Sequence, residues 1–232
     1  MNRVLITGAN RGLGFELVHQ FAGRGARVFA GCRSPEKTLA LAAVVEKHPG
    51  QVTILPLDVT NQLSVEKSVE LVEAEVDALD ILINNAAIHL GDESLSEVKA
   101  DVLLKTMQIN AVGAVLIAQK FAGLLKKGHD PKLINISSRG GSVSLMDHFR
   151  GYGYSGSKAA MNMYTRCLSL DPETEGITFI AFHPGWVRTD MGGPDAHITT
   201  AESAEGVLQV IEALTPGDNG RFFTWEGKEL PW

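Results

Sequence analysis

The chain has 232 residues, 21 lysines and arginines against 27 aspartates and glutamates, a formal net charge of -6, and two cysteines. The length suits one large α/β domain that buries a core without staples, and the lack of any Lys/Arg-rich block argues against nucleic acid or an anionic membrane as a partner. Cys32 and Cys167 lie far apart and outside any CxxC pattern, which argues against a disulfide scaffold or a structural zinc site and for a reducing compartment.

The first strand begins near Arg3, leaving no room for a signal peptide. No apolar run approaches the roughly 18 residues of a membrane span, so a cytoplasmic location is expected. Val4, Leu5 and Ile6 form a short apolar run that stops at TGANRGLG, after which Leu13, Leu17 and Phe21 recur at helical spacing. Gly8, Gly12 and Gly14 let the backbone turn sharply and approach a ligand, and the free N–H groups opening the helix favour a pyrophosphate. The spacing GxxxGxG departs from the GxGxxG fingerprint, and a glycine turn is often only a turn. Its place between a buried strand and an amphipathic helix is what points to a nucleotide.

The alternation continues with a strand over 27–31, a helix over 35–47, a strand over 52–57, a helix over 62–76 with Asn61 as N-cap, and a strand over 79–83. Helices follow over 96–104 and 110–127, then a strand over 132–136, the helix carrying Tyr154, a strand over 178–182, a helix over 200–214 and a strand over 221–224. This pattern predicts a doubly wound α/β fold, a parallel seven-stranded sheet with helices on both faces, and no linker divides residues 1–232.

Ligands of such sheets bind beyond the carboxyl ends of the strands. The second strand ends in Gly31-Cys32-Arg33, with no acid for a ribose 2′-hydroxyl. Arg33 and Arg11 would instead supply guanidinium forks for a 2′-phosphate, unless both are ordinary solvated cations. Asp58 would accept from an adenine amino group or begin a turn. Asn84 in NNAA would touch a cofactor or brace adjacent strands, while the small alanines leave room for one. Asn110 would hold a water by diverting the helix, or cap a helix junction. The loop His183-Pro184-Gly185-Trp186-Val187-Arg188-Thr189 would lay backbone groups and the Thr189 hydroxyl against a carboxamide, with His183 itself a core residue.

The segment 134–163 places Ser138, Tyr154 and Lys158 in one strand-to-helix connection. Four apart on a helix, Tyr154 and Lys158 share a face, so an ammonium near the phenol would lower a pKa otherwise about 10. Tyr152 has Gly156 in that place and cannot be tuned this way. YxxxK alone recurs by chance in unrelated helices, and its weight comes from the other strand ends.

Together, TGANRGLG, NNAA, Ser138 with YxxxK, and PGWVRT resemble the short-chain dehydrogenase/reductase family over essentially the full length. CRSP, GYGYSGSKAAMNM, HPGWVRTDMGG and GRFFTWEGKELPW resemble its C-factor and sniffer-type carbonyl reductase branch. NNAA replaces the commoner NNAG, and the interval from Ser138 to Tyr154 is longer than in many members, which implies an altered substrate rim. The resemblance implies a single Rossmann-type NADP-binding domain over 1–232 that includes the substrate site. It implies Asn110, Ser138, Tyr154 and Lys158 as catalytic residues. As NADP(H) contacts it implies Gly8, Asn10, Arg11, Gly12, Leu13, Gly14, Arg33, Asp58, Val59, Asn84, Ala86, Lys158, Pro184, Gly185, Val187 and Thr189.

The implied reaction is NADPH-dependent reduction of a carbonyl to an alcohol. Tyr154 donates the proton, Ser138 binds the carbonyl oxygen, Lys158 holds the nicotinamide ribose and depresses the Tyr154 pKa, and Asn110 holds a water. The short stretch between Thr189 and Thr200 predicts an open site for varied aldehydes, ketones, quinones or dicarbonyls. The Tyr154 helix is apolar on more than one side, and the resemblance implies a homodimer or homotetramer packed on it, although a buried helix has the same pattern. The competing reading is an NADP(H)-binding signalling or regulatory protein of C-factor type in which catalysis is secondary.

Overall fold

The computed structural model describes residues 2–91 and 94–232. Seven strands, β1 (Arg3–Thr7), β2 (Arg27–Cys32), β3 (Val52–Pro56), β4 (Ile81–Asn84), β5 (Lys132–Ile136), β6 (Thr178–His183) and β7 (Arg221–Thr224), form one sheet in the order β3-β2-β1-β4-β5-β6-β7. Every pairing is parallel. The helices are α1 (Gly12–Gly23), α2 (Leu39–Lys47), α3 (Gln62–Glu73), α4 (Ala100–Met107), α5 (Gly113–Leu125), α6 (Tyr152–Leu168) and α7 (Thr200–Ala213). This is a Rossmann-like doubly wound fold.

The strands are mostly apolar because both faces are covered. Val4, Ile6, Val28, Ala30, Ile134 and Ile180 point to one side, where Leu17 of α1, Leu41 of α2 and Leu208 of α7 meet them. Their sequence neighbours Leu5, Phe29, Leu133 and Phe179 point to the other, against Val65 of α3 and Ile117 and Phe121 of α5. Each such side chain contributes about 1.5–3 kcal/mol of burial energy, so the period-2 alternation is tightly specified. Chain order reverses at β1, between β2 and β4, and the crevice opened there is where a ligand is expected.

At the opposite end of β1, Arg3 is locked to Asp80, which is only 4% exposed. Arg3 Nη2 donates to Asp80 Oδ1 at 2.9 Å, Arg3 Nε donates to Oδ2 at 3.0 Å, and the backbone N–H groups of Arg3 and His129 add donors at 2.7 and 2.8 Å. Burial pushes the Asp80 carboxyl up, but the Arg3 side chain and these backbone donors outweigh it and leave the group below its ordinary range.

Most element boundaries fall within three residues of expectation, and the larger departures have physical reasons. The helix expected over 35–47 is split: Pro35–Lys37 is a 3₁₀ turn closed by Thr38 Oγ1 donating to Pro35 O at 2.8 Å, and α2 starts only at Leu39. Helix α4 starts at Ala100 rather than 96, and β4 starts at Ile81, since Leu79 N donates to Leu124 O instead of joining the sheet.

The two helices expected over 96–127 are joined by a π turn, Gln108–Val112, into one helical run of 26 residues, Ala100–Leu125. Contrary to expectation, that run is long and apolar enough by length and composition to cross a membrane. Its apolar residues Ile117, Phe121, Leu124 and Leu125 pack under the sheet, and Lys120 pairs with Glu66 of α3 at 2.7 Å. Leu104 and Val112 are exposed on its other side.

Candidate active site

A cleft of about 1460 Å³ runs along the carboxyl ends of the strands, from the glycine loop to the start of α6. Gly8 (φ +65°) opens the loop, and a Cβ there would meet Ala86 Cα at 2.8 Å, so both the turn and the tight approach to β4 require glycine. The N-terminus of α1 has no side-chain cap and no acid in its first turn. By contrast, α3 is capped by Asn61, whose Oδ1 accepts from Ser64 N, and α7 by Thr199. The uncapped N–H groups of α1 are open to an anion.

Two residues outside the sequence candidates hold this loop. Thr7 Oγ1 accepts from Asn85 N and Ala86 N, both at 3.0 Å. Asn85 Nδ2 donates to Thr7 O at 2.9 Å and Gly8 O at 3.1 Å. The signal was present in the second asparagine of NNAA and the threonine opening TGANRGLG, but only the pairing of β1 with β4 brings them together.

Asn10, Arg11, Gly12, Leu13, Gly14, Arg33, Val59, Ala86, Pro184, Gly185, Val187 and Thr189 line the cleft with Gly8 and Lys158. Arg33 is exposed at the end of β2, and Arg11 makes an exposed pair with Asp190 at 3.2 Å. Asp58 also lines the cleft, but its Oδ1 closes a turn by accepting from Thr60 N at 2.9 Å and Thr60 Oγ1 at 2.7 Å. Asn84 is a correction. Its Nδ2 donates to Asn135 Oδ1 at 2.9 Å and Ala114 O at 3.1 Å, so it braces β4 against β5 and α5 and does not line the cleft.

Ser138 follows β5, Tyr154 lies in the first turn of α6, and Lys158 lies one turn further along. Ser138 and Tyr154 both line the cleft, and Ser138 Oγ accepts from Gly140 N at 3.1 Å. Lys158 is 2% exposed, and its Nζ donates to Ile136 O at 2.7 Å, lying 5.8 Å from the centre of the Tyr154 ring.

The expected tuning of Tyr154 by Lys158 is therefore corrected. Burial pushes the phenol up, and what opposes the rise is the Ser138 hydrogen bond and then the charge of Arg150. The ammonium is directed at a carbonyl rather than at the phenol oxygen, and burial pushes Lys158 itself down to about 7.

Asn110 sits where the helix is diverted, in the π turn between α4 and α5. Its side chain is committed to the strand-end loop: Oδ1 accepts from Ile88 N at 2.8 Å, and Nδ2 donates to Ile88 O at 2.9 Å and Ser157 Oγ at 3.0 Å. It is buried in the π turn and does not line the cleft. The side chain diverts and braces backbone, as expected of an asparagine inside a helix.

Residues 139–151 form the mouth of the cleft. Arg139 pairs with Asp147 at 3.0 Å, His148 Nδ1 lies 2.6 Å from the same carboxylate, and Arg150 approaches it to 3.8 Å. Ser142 Oγ donates to Pro231 O at 2.7 Å and Ser144 N to Trp232 O at 3.2 Å, while Trp232 stacks on Phe222. His89 lies against the Tyr154 ring with centroids 4.9 Å apart, and Tyr152 turns away to Phe149. Trp186 is pinned by donation to Gly192 O at 2.7 Å. His183, expected in the core, lines the cleft, and burial with the charges of Arg139 and Arg150 pushes its pKa down to about 4.

Known proteins share the sequence pattern and the fold. Over 154 residues the chain is 39% identical to C-signal of Myxococcus xanthus, a match spanning 66% of this chain and 93% of that protein. The fold superposes on the NADPH-bound carbonyl reductase from chicken fatty liver with a TM-score of 0.93 at 35% identity, covering 100% and 99% of the two chains. Carbonyl reductase Sniffer of D. melanogaster gives a TM-score of 0.93 at 33% identity with 100% of both chains covered. The family model for short chain dehydrogenase matches residues 2–197. With its glycine loop, strand-end cleft and Ser138-Tyr154-Lys158 grouping, the chain belongs to the short-chain dehydrogenase family of oxidoreductases.

Proposed function

We propose that the protein is an NADPH-dependent reductase of aldehydes and ketones. The observation that carries this reading is the grouping of Ser138, Tyr154 and Lys158, with Lys158 Nζ 5.8 Å from the centre of the Tyr154 ring, on the wall of the cleft that begins at the glycine loop. The residues present fit the cofactor: α1 is uncapped, and the cleft beside β2 presents Arg33 and Arg11 with no acid at the strand end. The guanidinium groups suit a 2′-phosphate, and the carbonyl reductase from chicken fatty liver that this chain resembles is NADPH-bound.

When bound, NADPH supplies a hydride to the carbonyl carbon. Ser138 then hydrogen-bonds the carbonyl oxygen, and Tyr154 gives its proton to the developing alkoxide. A phenol whose pKa is raised by burial is held protonated through neutrality, the form that reduction needs. Lys158 holds the ribose and, with a pKa of about 7, exchanges a proton readily enough to reload the phenolate. Asn110 acts as a positioning residue through Ile88 and Ser157. Exposed Leu104, Val112 and Met163 on α4 to α6 support assembly into a homodimer or homotetramer, and the free thiols of Cys32 and Cys167 suit a cytoplasmic setting.

The test is oxidation of NADPH and of NADH against a panel of aldehydes, ketones, quinones and dicarbonyls. Turnover with NADPH preferred is expected, and Tyr154→Phe lowers kcat at least about 100-fold while NADPH binding persists. Full turnover by Tyr154→Phe would refute the assignment. The C-signal relationship keeps the signalling reading in view, and the same variant separates the two: a biological effect that survives loss of turnover belongs to signalling.

A further inference from the structure

Cations are unevenly placed along the cleft. At the glycine-loop end Arg11 and Arg33 are accompanied by the acids Glu16, Asp58 and Asp190, which also line it. At the Tyr154 end the lining includes Arg139, Arg150 and Lys158, and no carboxylate among the described residues lines that half. Lys158 is occupied by Ile136 O, and Arg188, further along, donates to Ala196 O at 2.8 Å.

Asp147, behind the mouth, is shared by two guanidinium groups. Arg139 takes it at 3.0 Å, leaving Arg150 at 3.8 Å from the carboxylate and 3.4 Å from His148 Nδ1. Arg150 is thus the less satisfied cation, with its side chain 36% exposed. Its stem lies across the turn after Ser138, so that a Cβ on Gly140 would sit 3.3 Å from Arg150 Cδ. Its charge reaches both Tyr154 and His183. Phe149, Trp186 and His89 supply flat walls around the same opening.

We propose that the mouth selects carbonyl compounds that carry an anionic group, a carboxylate or a phosphate ester, and that Arg150, assisted by Arg139, is the residue pair that reads it. This rests on the reductase reading above. With the anion on Arg150 and the carbonyl on Ser138 and Tyr154, hydride from NADPH and the Tyr154 proton give the alcohol and NADP⁺, so the anion itself is unchanged. The open rim still tolerates varied carbonyl bodies. A charge-assisted hydrogen bond at a half-buried guanidinium corresponds to about a tenfold preference or more.

The test compares 4-carboxybenzaldehyde and 4-formylphenyl phosphate with the neutral methyl 4-formylbenzoate, as a ratio of kcat/KM within each protein, which cancels any general loss in a variant. The wild type is expected to favour at least one anionic aldehyde by about tenfold or more, chiefly through KM, and the anion with the larger gain identifies the preferred class. Arg150→Met brings the ratio to about one, and Arg150→Lys retains part of it. A wild-type ratio at or below one for both anions, or a ratio unchanged in the Arg139→Met/Arg150→Met double variant, overturns the proposal.

Absence of turnover with all three aldehydes would count against the reductase reading instead. The anion site is then read by thermal shift of the NADP⁺-supplemented protein with terephthalate against dimethyl terephthalate. A shift specific to terephthalate and lost in Arg150→Met upholds the site, and equal shifts overturn it.

Discussion

Replacing Lys158 with methionine should stabilise the cofactor-free protein while abolishing turnover. Lysine and methionine have similar volume, and the flexible thioether suits the same buried space. The ammonium is 2% exposed and its pKa falls from the ordinary 10.5 to about 7. At about 1.4 kcal/mol per pH unit that is about 5 kcal/mol set against the charged form. Leaving Ile136 O without its donor costs about 1–3 kcal/mol, so a net gain of about 2–4 kcal/mol is expected at pH 6.

The sign follows from proton counting. The native pKa of Lys158 lies below the unfolded one, so between about pH 7 and about pH 10.5 the native wild type binds fewer protons and gains stability as pH rises. The advantage of Lys158→Met is therefore flat below about pH 7 and shrinks above it. Thermal unfolding without cofactor at pH 6, 8 and 9.5 measures this, with a midpoint rise on the order of 10 °C at pH 6 for a domain of this size. A variant no more stable than wild type at pH 6, or a difference independent of pH, would refute the reasoning.

Two further substitutions probe the rest of the framework. Asn85→Ala removes the two hydrogen bonds to Thr7 O and Gly8 O, and fluorescence titration should show NADPH affinity lowered by about tenfold with roughly 1–3 kcal/mol lost on urea unfolding; unchanged affinity would mean the clasp does not shape the loop. Asp80→Asn leaves Arg3 facing a neutral amide and should cost about 3–5 kcal/mol. Because the Asp80 pKa is depressed on folding, the wild-type contribution is complete above the unfolded value of about 4 and is lost as pH falls through the native one. The gap between wild type and variant should therefore close in acid, and a gap constant from pH 7 to pH 3 would contradict this account.

The strands were legible because they are short apolar runs, most of them cut off by Gly, Asn, Asp, Ser or Pro, and the same punctuation marks where a ligand can enter. The glycine loop and the lining residues from Pro184 to Thr189 were legible for the same reason: their sequence position puts them at a strand end. What escaped depends on pairs distant in sequence. Asn84 and Asn85 are adjacent and chemically identical, yet strand pleating turns one toward Asn135 and the other toward Gly8. Helical spacing placed Lys158 beside Tyr154, but it could not show that Ile136 O lies nearer to the ammonium than the phenol oxygen does. Arg150 acquired its bearing on Tyr154 from the path of residues 139–151, which no periodicity encodes.

The clasp between Thr7 and Asn85 joins residues 78 positions apart. Closing a chain segment of that length carries an entropic cost that must be met before the hydrogen bonds return anything. The glycine loop, although it is contiguous and near one end of the described chain, therefore takes its final shape only after β4 docks beside β1. During refolding, the ability to bind a dinucleotide should rise with the late joining of the two halves of the sheet rather than with early formation of α1.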